Sequence, residues 1–453
     1  MQTITLPSKN IPVIHTADVC VLGGSCTGVF AAIRAAEAGL SVALVENNGF
    51  LGGTATAGLV PVWHSLFTVD GTRQIIGGLT TDVIDAMAAR GDARVNPDRT
   101  NPSVYATLNV AALELELDAM VSARPNIRLF LHTRLVDALG AGTGHPTHAI
   151  VESKSGRGAI AARFFIDATG DADFLVRAGF ETWTLPPADL QAHTTCALLE
   201  GVAKLKAAYP DFSFNEIMKP KHGAGLGHVF QWGAPVIGCP SLTFLAATRV
   251  RDCDPTDADA LTAAEVEARS QLRRIVDAVN RDFPLPDGNK LAIAAIAPSI
   301  GLRESRHAKC LYRITSDDIL GGRRFDDCIG RGTYRVDIHE KAGIVFRYLD
   351  GKEDVMTADP ATGAVVWTHG RWRAPLPADP QFYEIPYRSL VPAGADNVLC
   401  AGRMVDCERD AYGALRVMVN CNQMGEAAGR AAARVLRDGR ALADAALSLP
   451  PPR

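Results

Sequence analysis

Residues 17–54 read ADVCVLGGSCTGVFAAIRAAEAGLSVALVENNGFLGGT, and the fold prediction starts from this stretch. The apolar run at 19–22 is typical of a buried parallel strand. A helix is predicted over residues 29–38, and a second apolar run over residues 40–45 ends on Glu46. The order of strand, glycine-rich turn, helix, strand and acid predicts a Rossmann-like dinucleotide-binding unit.

The turn between the first strand and the helix supplies the predicted phosphate contacts. Glycines let backbone N–H groups approach a pyrophosphate, and the helix N-terminus adds the positive end of its dipole. Ser25 stands where the dinucleotide-binding fingerprint GxGxxG normally has its middle glycine. Its side chain leaves the phosphates less room to approach the backbone, but its hydroxyl can donate a hydrogen bond to a phosphate. Glu46 lies where a carboxylate accepts hydrogen bonds from ribose hydroxyls. The alternative is an ordinary strand–helix–strand crossover with a tight turn.

Length and composition limit the class of protein. A chain of 453 residues predicts two interleaved domains. With 46 Lys and Arg against 50 Asp and Glu, the net charge of −4 argues against nucleic acid as a partner. The ten cysteines form no CxxC or CxH pair, so we expect no metal site. No apolar run has the length of a membrane span and no secretory signal is recognised, so a cytoplasmic location is expected.

Further elements are predicted along the chain. Helices are expected at residues 77–90 and 109–123, within 256–282, and over a long stretch that opens near 413 and ends near 437. Strands are expected at residues 126–132, 134–139, 149–153, 163–166, 195–200, 241–248 and 333–339. Alternation in the last of these strands places Arg335, Asp337 and His339 on one face.

Several motifs carry a resemblance to a known family. The Gly52-Gly53-Thr54 loop resembles one that runs beside the flavin in FAD-dependent oxidoreductases of the glutathione-reductase superfamily. A strand that ends in Ala168-Thr169-Gly170-Asp171 resembles that superfamily's second flavin-domain landmark. From residue 17 to about 437, the chain is identified as a member of the broad bacterial family called FAD-dependent oxidoreductases. The stretches that carry this identification are GLRESR at 301–306, VDIH at 336–339, IPYRSL at 385–390, LCAGR at 399–403 and MGEAAG at 424–429.

The resemblance implies FAD as the cofactor. It also implies an α/β fold of glutathione-reductase-like type: a Rossmann-like FAD-binding domain over residues 1–175 and 381–453, with an inserted α+β substrate domain over 176–380. The residues expected to contact the cofactor are Gly23, Gly24, Ser25, Cys26, Thr27, Gly28, Glu46, Asn47, Gly52, Gly53, Thr54, Val136, Ala168, Gly170, Asp171, Gly402, Arg403 and Arg416. Val136 is expected to offer backbone contacts to the adenine, by analogy with related flavoproteins.

Five residues are candidates for the chemistry. Arg303 can bind an anionic substrate or stabilise an anionic flavin, and the nearby Arg306 is a second candidate for the same task. His339, supported by Asp337, can remove a proton from a substrate alcohol or amine. His64 is a further candidate base and a candidate for covalent attachment of the flavin. The alternatives are arginines that only form salt bridges and a histidine with a structural role.

The predicted activity is hydride transfer between a small organic substrate and FAD, with an unidentified electron acceptor. One alternative is an NAD(P)H-driven flavin monooxygenase or double-bond reductase. Another is a flavin-binding subunit that relays electrons without a substrate of its own. No cysteine follows Thr54 closely, which argues against a redox-active disulfide like that of the disulfide reductases. The sequence gives no substrate and no oligomeric state, and a homo-oligomer is one of the assemblies it allows.

Overall fold

The computed structural model describes residues 3–4, 7–341 and 343–445, and residues 17–54 form the predicted unit within it. Its elements are β1 (Val13–Leu22), α1 (Cys26–Glu37) and β2 (Val42–Val45). The two strands pair in parallel, with Val21 opposite Leu44. Helix α1 begins three residues before its predicted start because the Ser25 hydroxyl accepts a hydrogen bond from the Gly28 N–H and caps it.

The other elements extend along the rest of the described chain. The helices are α2 (Leu79–Ala89), α3 (Val110–Ser122), α4 (Asp173–Arg177), α5 (Val202–Ala208), α6 (Phe214–Ile217), α7 (Ala258–Asp282), α8 (Ser316–Leu320), α9 (Arg409–Leu415) and α10 (Met418–Asp438). The strands are β3 (Val62–Trp63), β4 (Ala93–Val95), β5 (Ala106–Leu108), β6 (Ile127–Phe130), β7 (Arg134–Leu139), β8 (His148–Ser153), β9 (Gly156–Asp167), β10 (Thr182–Trp183), β11 (Cys196–Glu200), β12 (Trp232–Val236), β13 (Cys239–Ala246), β14 (Ala292–Ile296), β15 (His307–Ala308), β16 (Cys328–Gly332), β17 (Val336–His339), β18 (Gly343–Arg347), β19 (Lys352–Ala358), β20 (Val365–Arg371), β21 (Tyr383–Pro386) and β22 (Val398–Cys400).

The main sheet sets the position of the site. Its strand order is β6-β2-β1-β9-β8-β7, and β22 pairs with β9 in parallel. Leu22 of β1 and Cys400 of β22 both lie opposite Asp167 of β9. The carboxyl ends of these three strands therefore meet at one edge of the sheet, which is where ligands bind in open α/β folds. The predicted α/β class with a Rossmann-like unit is confirmed.

Helices α1 and α10 pack closely against each other on one face of this sheet. A Cβ atom added at Gly425 would lie 2.1 Å from the Thr27 carbonyl oxygen, and one at Gly429 would lie 2.2 Å from that of Ala31. Only glycine allows the two backbones to approach this closely. The packing keeps the first turn of α1, next to the glycine-rich turn, in a fixed position.

Two antiparallel sheets lie between β9 and β21 in the chain. One has the strand order β12-β13-β11-β14, and the other has the order β17-β18-β19-β20. Strand β16, from within the predicted insertion at 176–380, pairs with β21 beyond it. The domain boundaries stay a prediction, and the predicted ends at residues 1 and 453 lie outside the described residues. Over 3–4, 7–341 and 343–445, no helix is long and apolar enough to cross a membrane.

The long helix predicted from about residue 413 to 437 is wrong as a single element. The structure has α9 and α10 instead, with Arg416 at the end of α9 and Val417 in extended conformation before α10. The interruption directs the Arg416 side chain to the backbone of Asp337, whose carbonyl oxygen accepts a 2.9 Å hydrogen bond from it. The predicted strand at 333–339 is also shorter, because β17 begins at Val336.

Candidate active site

The glycine-rich turn has no room for side chains at two of its positions. Gly23 has a φ of +104°, and a Cβ atom there would lie 2.4 Å from the Ala168 carbonyl oxygen. A Cβ atom at Gly28 would lie 1.8 Å from the carbonyl oxygen of Gly23. The turn thus brings the end of β1, the start of α1 and the end of β9 into direct contact. The N-terminus of α1 therefore lies at the edge of the sheet where β1 and β9 end.

Glu46 directly follows β2 and is 7% exposed. One carboxylate oxygen accepts a 2.7 Å hydrogen bond from the Gly24 N–H, and the other accepts bonds from the backbone and side chain of Asn48 at 2.7 and 2.9 Å. A carboxylate offers about four acceptor positions, so one remains for a ligand hydroxyl. Burial raises the pKa of Glu46, although these hydrogen bonds oppose the shift. The neighbouring Asn47 is exposed.

The loop of Gly52, Gly53 and Thr54 packs against the glycine-rich turn. The Gly52 N–H donates a 2.8 Å hydrogen bond to the Gly24 carbonyl oxygen. A Cβ atom at Gly53 would lie 2.7 Å from the Cβ atom of Ser25. Thr54 is exposed. The structure therefore brings together the two glycine motifs that the sequence predicted to contact one cofactor.

Asp171 and Arg403 form an ion pair at the same edge of the sheet, with 2.7 Å between the guanidinium and the carboxylate. The Ser305 hydroxyl donates to Asp171 and accepts a 3.0 Å hydrogen bond from Arg403. Beside them, a Cβ atom at Gly402 would meet nothing closer than the Thr27 side chain at 3.8 Å. The end of β22 therefore approaches the first turn of α1 at ordinary contact distance.

Val136 lies further along, in β7. It lines a surface depression of ≈ 700 Å³ together with His132, Arg134 and Arg177. The segment before β7 touches the cofactor motif, because the Thr133 N–H donates a 2.9 Å hydrogen bond to the Glu46 carbonyl oxygen. The predicted adenine contact at Val136 stays a prediction.

The candidate catalytic residues gather around Asp337, which is 7% exposed. Its carboxylate accepts a 2.7 Å hydrogen bond from the Tyr334 hydroxyl and lies 3.4 Å from the Arg416 guanidinium. Burial by itself would raise the pKa of Asp337, but His339, Arg416 and Arg335 hold it well below its usual range. Asp337 is therefore ionised, and Arg416, expected at the cofactor, lies against it.

His339 lies between Asp337 and an arginine that the sequence did not single out. Its Nε2 is 3.2 Å from the Asp337 carboxylate, although the two are not aligned as a hydrogen bond. Its Nδ1 is 2.7 Å from the guanidinium of Arg249. A guanidinium can only donate, so Nδ1 accepts and the ring proton lies on Nε2. Burial lowers the pKa of His339 well below its usual range, assisted by Arg303 and Arg249 and opposed by Asp337.

His64 is the second predicted base, and its ring lies 4.2 Å from that of Tyr334. Burial lowers its pKa to about 3, with Arg335 as the next largest cause. Its Nδ1 has no hydrogen-bond partner among the residues that the structure describes. His64 is therefore neutral at physiological pH and keeps a free ring nitrogen next to the Asp337 cluster.

Arg303 and Arg306 have different surroundings. The Arg303 guanidinium donates to the Ala192 carbonyl oxygen and, at 2.6 Å, to the Thr194 hydroxyl. Burial lowers its pKa to about 10, with Arg416 as the next cause. Arg306 instead forms an ion pair with Asp173 at 3.0 Å, which is the structural alternative that the sequence left open. Only Arg303 joins the Asp337 cluster.

His193 connects this cluster with the cofactor motifs. Its Nδ1 accepts a 3.4 Å hydrogen bond from the Arg303 N–H. Burial lowers its pKa to about 4, followed by the charges of Arg303 and Arg403. The loop after Thr54 also approaches, because the Ser299 N–H donates a 3.1 Å hydrogen bond to the Ala57 carbonyl oxygen. The catalytic candidates and the cofactor motifs are thus neighbours.

A cavity of ≈ 240 Å³ reaches His339. Its lining residues are Ala188, Asp189, Leu190, Arg251, His339, Glu340, Lys341 and Arg409. Three of these side chains are cationic and two are acidic. A small molecule that enters here meets the imidazole of His339 and, behind it, Arg249.

Sequence reasoning missed Arg249 and His193. Arg249 follows β13 by three residues in the stretch TRVRD, and no motif distinguishes it from its neighbour Arg251. The signal was a charged residue three positions after a strand, in a segment that packs against the end of β17. Recognising it requires knowledge of that packing, which joins positions 90 residues apart.

The comparisons with known proteins give one family. The model of the family described as FAD dependent oxidoreductase matches residues 18–448. No curated protein matches the chain in sequence.

Three solved structures are similar at low sequence identity. The p-nitrophenol 4-monooxygenase of Pseudomonas putida DLL-E4 matches 96% of this chain and 84% of its own, at 11% identity and a TM-score of 0.46. The myxobacterial chondrochloren halogenase CndH matches 95% and 77%, at 13% identity and a TM-score of 0.45. A geranylgeranyl bacteriochlorophyll reductase-like protein of Thermoplasma acidophilum matches 94% and 80%, at 11% identity and a TM-score of 0.44. At these values the three structures carry no argument about substrate or reaction.

Proposed function

The chain belongs to the FAD dependent oxidoreductase family, and we propose that it transfers a hydride between a small organic substrate and its FAD cofactor, as a dehydrogenase or oxidase. The observation that carries the proposal is the buried pair of Asp337 and His339, 3.2 Å apart, at the end of a cavity and beside Arg303. A neutral imidazole oriented by a carboxylate is a base suited to an alcohol or amine proton.

The residues at the edge of the main sheet fit FAD. The turn from Gly23 to Gly28 excludes side chains next to the N-terminus of α1, which favours a pyrophosphate. Glu46 retains one acceptor position for a ribose hydroxyl. Gly402, just after β22, lies beside Thr27 in the first turn of α1, which supports a cofactor contact there. The residues expected to contact the cofactor are proposed here as its binding site.

When bound, FAD would supply the acceptor for the hydride, which carries the two electrons of the oxidation. In the proposed reaction His339 takes the substrate proton at Nδ1, the ring nitrogen that lacks a hydrogen. The ionised Asp337 then stabilises the imidazolium that forms. Arg303, held by Ala192 and Thr194, orients or polarises the substrate with its remaining donors.

The proposal extends to the superfamily of the chain and to its domain boundaries. We propose that the chain is a member of the glutathione-reductase-like superfamily. We also propose a flavin domain over residues 1–175 and 381–453 and a substrate domain over 176–380. Strand β16 of the proposed substrate domain pairs with β21 of the proposed flavin domain in a separate two-stranded sheet, so the two domains adjoin there.

The test is anaerobic mixing of the holoenzyme with small alcohols, amines and hydroxy acids while the flavin absorbance near ~450 nm is followed. We expect at least one class to bleach the flavin. His339→Asn should slow the bleaching by about 10²–10⁴-fold and leave the bound-flavin spectrum unchanged. Bleaching of His339→Asn at the wild-type rate would contradict the role of His339.

The other reactions give different results in the same experiment. A monooxygenase or double-bond reductase would be bleached by NADPH or NADH and not by the organic compounds. A flavin relay subunit would respond to neither. Bleaching by NADPH or NADH alone would overturn the proposed direction of hydride transfer. A response to neither kind of compound would overturn hydride transfer itself. The cavity that reaches His339 supports an enzyme over a relay, because a relay has no use for a substrate pocket.

A further inference from the structure

In the described arrangement, Arg249 occupies the ring nitrogen through which His339 would act as a base. The ring nitrogen without a hydrogen is Nδ1, and the Arg249 guanidinium donates to it at 2.7 Å. The other nitrogen already carries its proton and faces Asp337. A substrate proton can reach His339 only after Arg249 moves away from Nδ1.

The charges around Arg249 indicate what would move it. Arg249 is 9% exposed, and its guanidinium lies over the Phe230 ring at 5.1 Å. Among the described residues, no carboxylate forms an ion pair with Arg249 or with Arg303. The one acid nearby, Asp337, is already engaged by Tyr334 and Arg416. Buried guanidinium groups without a counter-ion are costly, and an anionic ligand removes that cost.

The cavity reaches His339, and His339 is in direct contact with Arg249. The cationic side chains of the cavity are Arg251, Lys341 and Arg409, against the acids Asp189 and Glu340. Arg251 donates a 3.0 Å hydrogen bond to the backbone carbonyl of Glu340 and not to its carboxylate. Lys341 is paired with Asp252 at 3.8 Å, so the charges of the lining are close to balance, and the attraction for an anion comes from Arg249 and Arg303.

We propose that the substrate carries a carboxylate, and that this carboxylate binds Arg249 and Arg303 and thereby frees His339 Nδ1 to take the substrate proton. A guanidinium binds a carboxylate with two parallel hydrogen bonds, which a neutral imidazole nitrogen cannot match. The step of proton transfer rests on the proposed function, but the binding of the carboxylate does not.

Binding is tested with benzoate, and benzamide serves as its neutral analogue. The holoenzyme is titrated with each while the visible flavin spectrum is recorded, and calorimetry gives the affinity independently. We expect saturable binding of benzoate and at least tenfold weaker binding of benzamide. Arg249→Gln should weaken benzoate binding at least tenfold, whereas Arg269→Gln, a solvent-facing control on α7, should leave it unchanged. Equal affinity for benzoate and benzamide would overturn the proposal, as would tight binding of inorganic phosphate without binding of benzoate.

Release of His339 Nδ1 from Arg249 is tested by measuring the protons taken up when benzoate binds. The groups that face this imidazole are Asp337, Arg249 and Arg303, with Arg251, Glu340, Lys341, Arg409 and Asp189 in the cavity. Calorimetry in buffers of different ionisation enthalpy should show that benzoate binding takes up protons near pH 6. His339→Asn should bind benzoate without uptake. Benzoate binding without uptake in the wild type would overturn the release of the base. Failure of every compound to bleach the flavin would affect only the proposed function.

Discussion

The ionised Asp337 contacts Tyr334, His339 and Arg416. A substitution by asparagine removes its charge. Asp337→Asn keeps the shape but leaves the buried Arg416 without a counter-ion. Breaking a buried pair in this way costs about 3–5 kcal/mol. We predict a loss of this size in the free energy of unfolding, measured by urea denaturation of the holoenzyme. Asp287→Asn removes an exposed pair with Lys204 and should change little. Equal effects of the two substitutions would contradict the prediction.

The Glu46 carboxylate is the proposed anchor of the ribose. Glu46→Gln replaces an acceptor with an amide that cannot accept at both of its ends, so the bonds from Gly24 and Asn48 cannot both persist. We expect the affinity of the apoprotein for FAD to fall tenfold or more, about 1.4 kcal/mol, as measured by fluorescence titration. Glu37→Gln, at the end of α1 in an ion pair with Arg34, is the control. An unchanged affinity in Glu46→Gln would remove Glu46 from the cofactor site.

The side-chain contacts that could be predicted from sequence are those between residues close together in the chain. Asp337 and His339 alternate in one strand, so their contact was foreseeable. Arg249 approaches His339 only through the packing of distant segments, and no local pattern encodes that approach. Arg306 was paired with Arg303 by proximity in sequence, but the chain directs the two side chains to different partners.

The packing of α1 against α10 controls the position of the glycine-rich turn. Gly425→Ala would place a Cβ atom 2.1 Å from the Thr27 carbonyl oxygen, so the helices must separate. Overpacking of this kind costs about 1–3 kcal/mol, and the displaced N-terminus of α1 should also weaken FAD binding. Thermal unfolding and FAD titration of the variant measure both effects. Gly370→Ala, where the nearest atom would be 4.0 Å away, is the control. A variant at position 425 as stable as the control would contradict this packing.

Secondary structure was predictable where apolar periodicity is strong. The strand–helix–strand unit at 17–54 was located because its core positions are continuous and its turn has a recognisable fingerprint. The interruption between α9 and α10 was not predicted, because Arg416 and Val417 are both compatible with a helix. Their conformation depends on the contact of Arg416 with Asp337, which lies 79 residues earlier.

The molecule as a whole should lose stability in mild acid. Burial is the largest cause that lowers the pKa of His64 to about 3, of His193 to about 4, of His228 to about 3 and of His339 well below its usual range. These rings are neutral when folded, but each gains a proton near pH 6.5 when unfolded. The unfolded state therefore binds more protons below that pH, and stability falls as the pH falls. Asp167 has the opposite effect on stability. Burial raises its pKa to about 6, so the folded state binds one proton there that the unfolded state does not bind.

We predict a loss of about 1 kcal/mol for each of these histidines between pH 7 and 5.5. Urea denaturation at the two pH values measures it. His228→Leu removes one of the four rings, and both nitrogens of that ring lack partners among the described residues. The variant should therefore depend less on pH than the wild type. Stability that stays constant or rises on acidification would contradict the assignment of neutral histidines.

The central claim is that one flavin lies between the glycine motifs and the Asp337–His339 pair, and a crystal structure of the holoenzyme tests it most directly. We predict that the flavin ring contacts the Gly52–Thr54 loop and faces the cavity that ends at His339. The pyrophosphate should lie at the N-terminus of α1, within hydrogen-bonding distance of the turn from Gly23 to Gly28. A flavin ring that turns away from His339, or a cofactor bound elsewhere on the molecule, would contradict the proposed active site.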